Sequence, residues 1–406
     1  MKSNFRIRKI SEVATIIAGG TPSTKNLDYW DGEIPWITPK DLSTHEGVFI
    51  NSGQRSITET GLRNSSAKML PSRSVLYTSR APIGYVAINE VPVCTNQGFK
   101  SLVPKPGFDS LYLYYALRYS KGKVLSLSAG GTFAEISASA MGEVELLVPD
   151  IATQKLIGAF GLDLNEKIRV NREIAAALED IAQAIFESWF VNFDPVRAKA
   201  SGEQPAGMDY ETAALFPDSF QESELGEIPG GWAVRTVADV VDRKKPGKLY
   251  DKKSAFAQGT VPILDQGSSG VIGWHDDEPG VQASKDHPYV VFANHTCSLR
   301  LISYPFSAIQ NVFPILGKDV ATIWLFFALQ DKQEFDSYKG HWPDLAIKKV
   351  VVPPQLLTDQ FSKLVNPFLR RVWTLNEQNQ VLIEIRDSLL PRLISGELEI
   401  PAELFA

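Results

Sequence analysis

One stretch of about 40 residues nearly occurs twice in this chain, and it limits the possible folds more than any other feature. The first copy is Asp150 to Phe193, DIATQKLIGAFGLDLNEKIRVNREIAAALEDIAQAIFESWFVNF; the second is Pro354 to Leu398, PQLLTDQFSKLVNPFLRRVWTLNEQNQVLIEIRDSLLPRLISGEL. Each follows an apolar strand ending in Val-Pro (Val148-Pro149 and Val352-Pro353). Each carries Thr and Gln near its start (Thr153 and Gln154; Thr358 and Gln360) and an Asn-Glu pair further on (Asn165-Glu166 and Asn376-Glu377). In the first copy Ile157, Phe160, Leu164, Asn171, Ile174, Leu178, Ile181 and Ile185 recur at spacings of three and four. In the second Phe368, Leu375, Leu382, Ile385 and Leu389 do the same, so both read as long helices. About 38 residues at 1.5 Å each make a rod of roughly 55 Å. A lone rod cannot bury its own apolar seam, so each copy requires a partner. The other copy, running antiparallel, is the simplest one; a second chain, in a homodimeric coiled coil, is the alternative.

The rest of the chain repeats with the helices. The segment IPWITPKDL (34–42) is answered by VPILDQGSSG (261–270), and VLYTSRAPIGYVAI by YVVFANHTCSLRLI. VCTNQGFKSLV is answered by FSAIQNVFPIL, and LYYALRY by WLFFALQ. Short strands broken by polar turns, with one short helix, predict an α+β (mixed α/β) unit in each half. The expected layout is a globular unit over 1–150, a long helix over 151–193 and a linker over 194–231. A second unit follows over 232–353, then a second long helix over 354–398 and a tail over 399–406. The fold class expected is therefore two globular domains joined by two long antiparallel coiled-coil helices, with an internal pseudo-two-fold repeat. The linker assignment rests on richness in Pro, Gly, Ser and acids and on missing periodicity, apart from one helical piece at Glu211–Leu215.

Composition adds exclusions. The net charge of −6 argues against a nucleic-acid partner until it is divided by region. Residues 1–150 carry +3 and 232–352 carry +1, whereas 151–231 carry −8 and 353–406 carry −2. The acidity is concentrated in the first long helix and the linker after it, which leaves the neutral-to-basic globular units free to meet phosphate. Two cysteines and five histidines without ligand spacing suggest neither a disulfide framework nor a zinc site. Acidic and polar residues interrupt the first apolar patch, so no signal peptide is read there. No apolar run is long enough for a membrane span, and a reducing cytoplasm is the expected location.

Catalytic parts are missing from the pattern. DNA methylation calls for a Gly-rich cofactor loop and an Asn/Asp-Pro-Pro-aromatic motif to hold the flipped base. Asn366-Pro367-Phe368 and Asn192-Phe193-Asp194-Pro195 lack the second Pro and read as a helix kink and a helix stop. No P-loop is present. The cluster His275-Asp276-Asp277-Glu278, and Pro343-Asp344 with Lys348-Lys349, read as solvated turns or phosphate-facing loops rather than a nuclease centre. No cofactor is expected.

The run Ile181–Trp232 contains SWFVNFDPV, LFPDSF and ELGEIP, and LLPRLISGEL closes the second helix. With these motifs the chain resembles the specificity subunit of type I restriction-modification systems, over essentially its whole length. The resemblance implies two target-recognition domains, each reading one half of a bipartite site in double-stranded DNA. It implies that the long helices act as a spacer and dock two methyltransferase (modification) subunits, that restriction/translocase subunits join from outside, and that this subunit is not itself catalytic. The rival readings are a stand-alone DNA methyltransferase or nuclease and the homodimeric coiled-coil protein.

Loop residues suited to DNA are then the candidates. Arg and Lys pair with guanine, Gln and Asn with adenine, and hydroxyls with phosphate. In the first unit these are Thr38, Lys40, Ser79, Arg80, Gln97, Lys100 and Thr132. In the second, the basic run Arg243–Lys253 offers Lys248, Tyr250 and Lys252, and the repeat-equivalent turns offer Gln266, Ser268, Asn294, His295, Gln310 and His341. Trp189, Phe190 and Phe193 at the end of the first long helix either cap the helix pair or anchor a methyltransferase subunit.

Overall fold

The structure is a computed structural model, described here for residues 5–80, 82–128, 134–267 and 270–398. Both repeats fold into long helices, Ile151–Phe190 and Gln355–Ile394, each preceded by a strand (Glu145–Val148 and Lys349–Val352). The Asp150 carboxylate starts the first helix by accepting the Thr153 N–H at 3.0 Å and the Thr153 hydroxyl at 3.0 Å. Phe193, in the left-handed conformation at φ 57°, stops it, and Pro195 lies in the first turn of the next helix, Asp194–Ala200. The chain divides into two compact units, and the division runs through both long helices. One unit is Met1–Arg172 with Glu377–Ala406, the other Glu173–Asn376.

In the first unit Arg6–Lys9 pairs antiparallel with Glu145–Val148, which fastens the start of the unit to the strand entering the long helix. A four-stranded sheet runs in the order Ala14–Ala18, Lys100–Pro104, Val75–Tyr77, Val86–Ile88. Beside it, Trp30–Ile37 pairs parallel with Cys94–Thr95, Trp36 opposite Cys94 and Ile37 opposite Thr95. The helix Ser110–Tyr119 lies against the first long helix, and Gly158 and Gly161 permit the approach. A Cβ at Gly158 would sit 2.7 Å from the Leu111 Cβ, and one at Gly161 2.5 Å from the Tyr115 ring. Within this unit the two long helices run antiparallel. Asn171 donates to Asn379 Oδ1 at 2.9 Å, Arg386 donates to Asn165 Oδ1 at 2.9 Å, and Leu390, Leu393 and Ile394 share a core with Ile157.

The second unit repeats this plan. Ala233–Thr236 pairs with Lys349–Val352. The four-stranded sheet runs Val241–Arg243, Val312–Gly317, Tyr289–Ala293, Leu299–Ile302. Val261–Leu264 pairs parallel with Ser307–Ile309, Ile263 opposite Ser307 and Leu264 opposite Ala308. Even the docking of the long helices is repeated. Gln154 and Thr358, each at the fourth position of its long helix, accept the backbone N–H that precedes the unit's short helix: Asp109 N–H to Gln154 Oε1 at 3.0 Å, Ala321 N–H to Thr358 Oγ1 at 3.0 Å. Here too the long helices pair, through Ala175 and Leu178 with Val372 and Leu375, and through Phe186 and Phe190 with Phe361.

Two expectations need correction. The buried seam of the first helix passes through Ile157, Ile168, Asn171, Ala175, Ala182 and Phe186, while Ile174 and Ile181 are exposed. Ile385 is exposed as well, with Leu375 and Asn379 buried on its helix. Small Ala side chains let two backbones approach, and the isoleucines one position away are left at the flank. Second, residues 194–231 hold more structure than the one helical piece expected at Glu211–Leu215. After Asp194–Ala200 come the helix Tyr210–Ala214 and the hairpin Phe220–Ser223 with Gly226–Pro229. Phe216 and Phe220 pack edge-on against Trp189 and Phe193, which covers the end of the long helix with core.

Candidate nucleic-acid interface

Hydrogen-bonded loops carry the polar candidates of the first unit, and the parallel strand pair gathers them. Strand Trp30–Ile37 delivers Thr38, whose hydroxyl and N–H both donate to Asp41 Oδ2 at 2.7 Å. Thr38 is thus the N-cap of the short helix Pro39–Ser43, and it leaves the exposed Lys40 without an ion pair among the described residues. Gly98 lies against Pro39, where an added Cβ would meet the ring at 2.9 Å. Ser79 is fully buried: its hydroxyl donates to Gly98 O at 3.1 Å and accepts from the Lys100 ammonium at 3.4 Å. Gln97 is exposed and receives the Thr21 hydroxyl on its carboxamide oxygen. Lys100 and Arg80 both face Glu135, at 3.3 and 3.6 Å. Two cations on one carboxylate leave a net positive charge beside the Gln97 turn. Thr132 lies outside the described residues.

The second unit forms two such groups. In one, Tyr250 stacks on His275 with ring centroids 4.1 Å apart, and its hydroxyl donates to Asp277 at 2.9 Å. Lys248 pairs with the same carboxylate at 2.6 Å. The hydrogen bonds from Lys248 and Tyr250 hold the Asp277 carboxyl below its usual range, and Asp277 raises the Lys248 ammonium in turn. Lys252 and Gln310 are exposed and share a groove with Tyr250, Leu249, Ile272 and Ile309. In the other group Gln266 accepts the His295 N–H at 2.7 Å. The His295 ring stacks on Tyr338 at 5.0 Å and lies 3.1 Å from the Asn311 amide. Ser268 lies outside the described residues.

Several candidates are engaged by the backbone of their own loops. Asn294 is buried and accepts the Trp342 N–H at 2.8 Å, and His341 is fully buried with Nε2 3.0 Å from Ser337 O. Their polar atoms satisfy backbone that the turns leave open, so neither reaches a ligand from its present position. Ser79 and Thr38 are held in the same way. Trp189, Phe190 and Phe193 are no more than 8% exposed and lie in the core of their own unit against Phe216, Phe361 and Trp232. Of the two expected roles for these rings, capping the end of the helix is the one this packing displays.

Other residues that shape these loops escaped the pattern. Glu135 is the shared carboxylate, Thr21 steadies Gln97, and Tyr338 is 84% exposed beside His295. Arg300 donates to Asp265 O at 2.6 Å and Gly270 O at 2.8 Å, which pins the loop carrying Gln266; burial lowers its guanidinium pKa from the ordinary value. Only the Gly-Gly-Thr loop and the dense polar turns hinted at these positions. Among the described residues no His, Cys, Asp and Glu group is arranged to hold a metal ion, and no helix is long and apolar enough to cross a membrane.

A family model described as the type I restriction modification DNA specificity domain matches residues 2–180. The chain is 31% identical to the type I restriction enzyme MjaIX specificity subunit of Methanocaldococcus jannaschii, an alignment covering 98% of this chain and 94% of that relative. It is 27% identical to the HindI specificity subunit of Haemophilus influenzae, over 68% of this chain and 74% of that one. Its fold is similar to the crystal structure of the type I restriction-modification system S subunit from M. genitalium, with TM-score 0.62 and 15% identity over 96% of each chain.

Proposed function

Because the chain belongs to the specificity subunits of type I restriction-modification systems, we propose that it reads a bipartite double-stranded DNA target, one half-site per globular unit. On this reading it has no turnover of its own. It holds two methyltransferase subunits along its long helices, and the restriction and translocase subunits join that assembly in the cytoplasm. The duplicated head plan supports the reading most directly. Each unit carries the same parallel strand pair feeding a polar turn; the exposed Lys40 follows it in one unit, and the exposed Lys252 shares the groove of Gln310 in the other. Lysines of this kind position phosphates, and side-chain amides discriminate bases.

DNA contacts are assigned to Lys40, Arg80 and Gln97 in the first unit, and to Lys248, Lys252, Gln266, His295 and Gln310 in the second, with the buried Lys100 and Tyr250 holding the loops beneath them. The test is methyl transfer from S-adenosylmethionine to DNA. The purified chain alone is expected to transfer none, and the chain co-purified with a modification subunit to transfer it at one bipartite sequence. Methylation by the chain alone would overturn the assignment.

A further inference from the structure

The parallel strand pairs fix an equivalence between the two units residue by residue. Ile37 pairs with Thr95 in one unit and Leu264 with Ala308 in the other. Counting on from Thr95 and from Ala308, the second residue is Gln97 in the first unit and Gln310 in the second. The residues between them differ, Asn96 against Ile309, and so do those after, Gly98 against Asn311 and Lys100 against Phe313. A glutamine on an exposed turn is thus retained in both copies while its neighbours have diverged. Both are exposed, and neither serves as a backbone cap among the described residues.

The surroundings of the two glutamines differ in a way that bears on their role. The Gln97 oxygen takes the Thr21 hydroxyl, which orients the carboxamide. Gln310 has no hydrogen-bond partner among the described residues and stands in the groove with Leu249, Ile272 and Lys252. A residue common to both heads is poorly suited to telling the half-sites apart. It suits a feature that both half-sites share. A carboxamide pairs in bidentate fashion with adenine N6 and N7, and aliphatic side chains suit the methyl of the paired thymine. The nearby lysines supply phosphate contacts that set the depth of approach.

We infer that Gln97 and Gln310 perform the same contact in the two heads, each reading the major-groove edge of an adenine, so that both half-sites carry an A·T pair at corresponding positions. Thr21 is a positioning residue for the first of these contacts. The inference rests on the DNA-reading function proposed above.

The experiment is sequencing of methylated sites in cells expressing the full chain with its modification subunit, for wild type, Gln97→Ala, Gln310→Ala and Thr21→Val. The wild type is expected to show an A·T pair in each half-site. Gln310→Ala should relax that one position in one half-site, with roughly 5- to 150-fold lost discrimination, the range for one bidentate pair. Gln97→Ala should relax its counterpart in the other half, and Thr21→Val should do so more weakly. Thermal melting of each variant separates lost reading from lost folding, and Gln310→Ala removes no internal hydrogen bond.

A wild-type site that is bipartite but unchanged in both alanine variants overturns the inference and leaves the proposed function standing. Weakening that is uniform over all sequences also overturns it, because that is the mark of a phosphate contact. A wild-type chain that directs no sequence-specific methylation would instead overturn the proposed function.

Discussion

Phe361 offers a sharp test of how the long helices are held in the second unit. It is fully buried, and its ring lies 5.3 Å from Phe190, 5.5 Å from Phe327, 5.8 Å from Phe186 and 6.1 Å from Trp189. It therefore joins both long helices to the helix Thr322–Leu329. Truncation of a buried Phe to Ala costs about 3–5 kcal/mol, through lost transfer free energy and the cavity left behind. The rigid aromatic walls cannot collapse into that cavity, so Phe361→Ala belongs at the upper end. A domain's whole stability is about 5–15 kcal/mol, and in a unit of this size each kcal/mol shifts Tm by roughly 2–4 °C. The expected loss is thus about 10–20 °C for the transition of this unit.

Calorimetry gives the shift, and hydrogen exchange locates it. Peptides covering Thr322–Leu329, Phe186–Phe190 and Gln355–Leu369 should lose protection. A shift below about 3 °C, or unaltered protection in those peptides, would refute the packing argument.

Further predictions follow from the loops and the helix pair. Replacing Lys40 or Lys252 by Ala should weaken binding about equally for all DNA sequences and lower the slope of log affinity against log salt by about 1, read by fluorescence anisotropy. Asp277 has a depressed carboxyl pKa, so its contribution to the Tyr250 turn is present above about pH 4, the ordinary carboxylate value, and is lost as pH falls through the lowered native value. The Asp277 carboxyl resonance should therefore titrate below the ordinary carboxylate value of about pH 4; a midpoint above that value would contradict the assignment. Inserting about four residues, one helical turn, into both long helices near Asn171 and Asn379 should change the spacer between half-sites and neither half-site sequence, read from methylated sites. Asn171→Ala should cost about 1–3 kcal/mol in urea unfolding, because it strands the buried Asn379 carboxamide.

The long helices and the duplication were legible because both are written locally. Spacings of three and four, the Val-Pro strand ends and matched strand orders all appear within short windows. The seam's phase was not, because the first helix carries apolar residues on adjacent faces. Ile174 stands beside Ala175 and Ile181 beside Ala182, and only the approaching helix decides which face is buried; it selects the smaller side chains.

Segment 194–231 misled because its composition is that of a linker. Its order comes from contacts remote in sequence, such as Phe216 with Trp189. Polar turn residues divided for a related reason. A Thr, Ser, Asn or His in a turn has backbone to satisfy before any ligand, so Thr38, Ser79, Asn294 and His341 serve the loops themselves. Gln97, Gln310, Lys40 and Lys252 remain at the surface.

The account stands on two equivalent heads that read DNA independently. Its most direct test replaces residues 1–150 with the corresponding segment of another specificity subunit and maps methylated sites on co-expression with the modification subunit. The account predicts a bipartite site in which one half changes and the other is retained. A site that changes in both halves, or one that does not change at all, would contradict it.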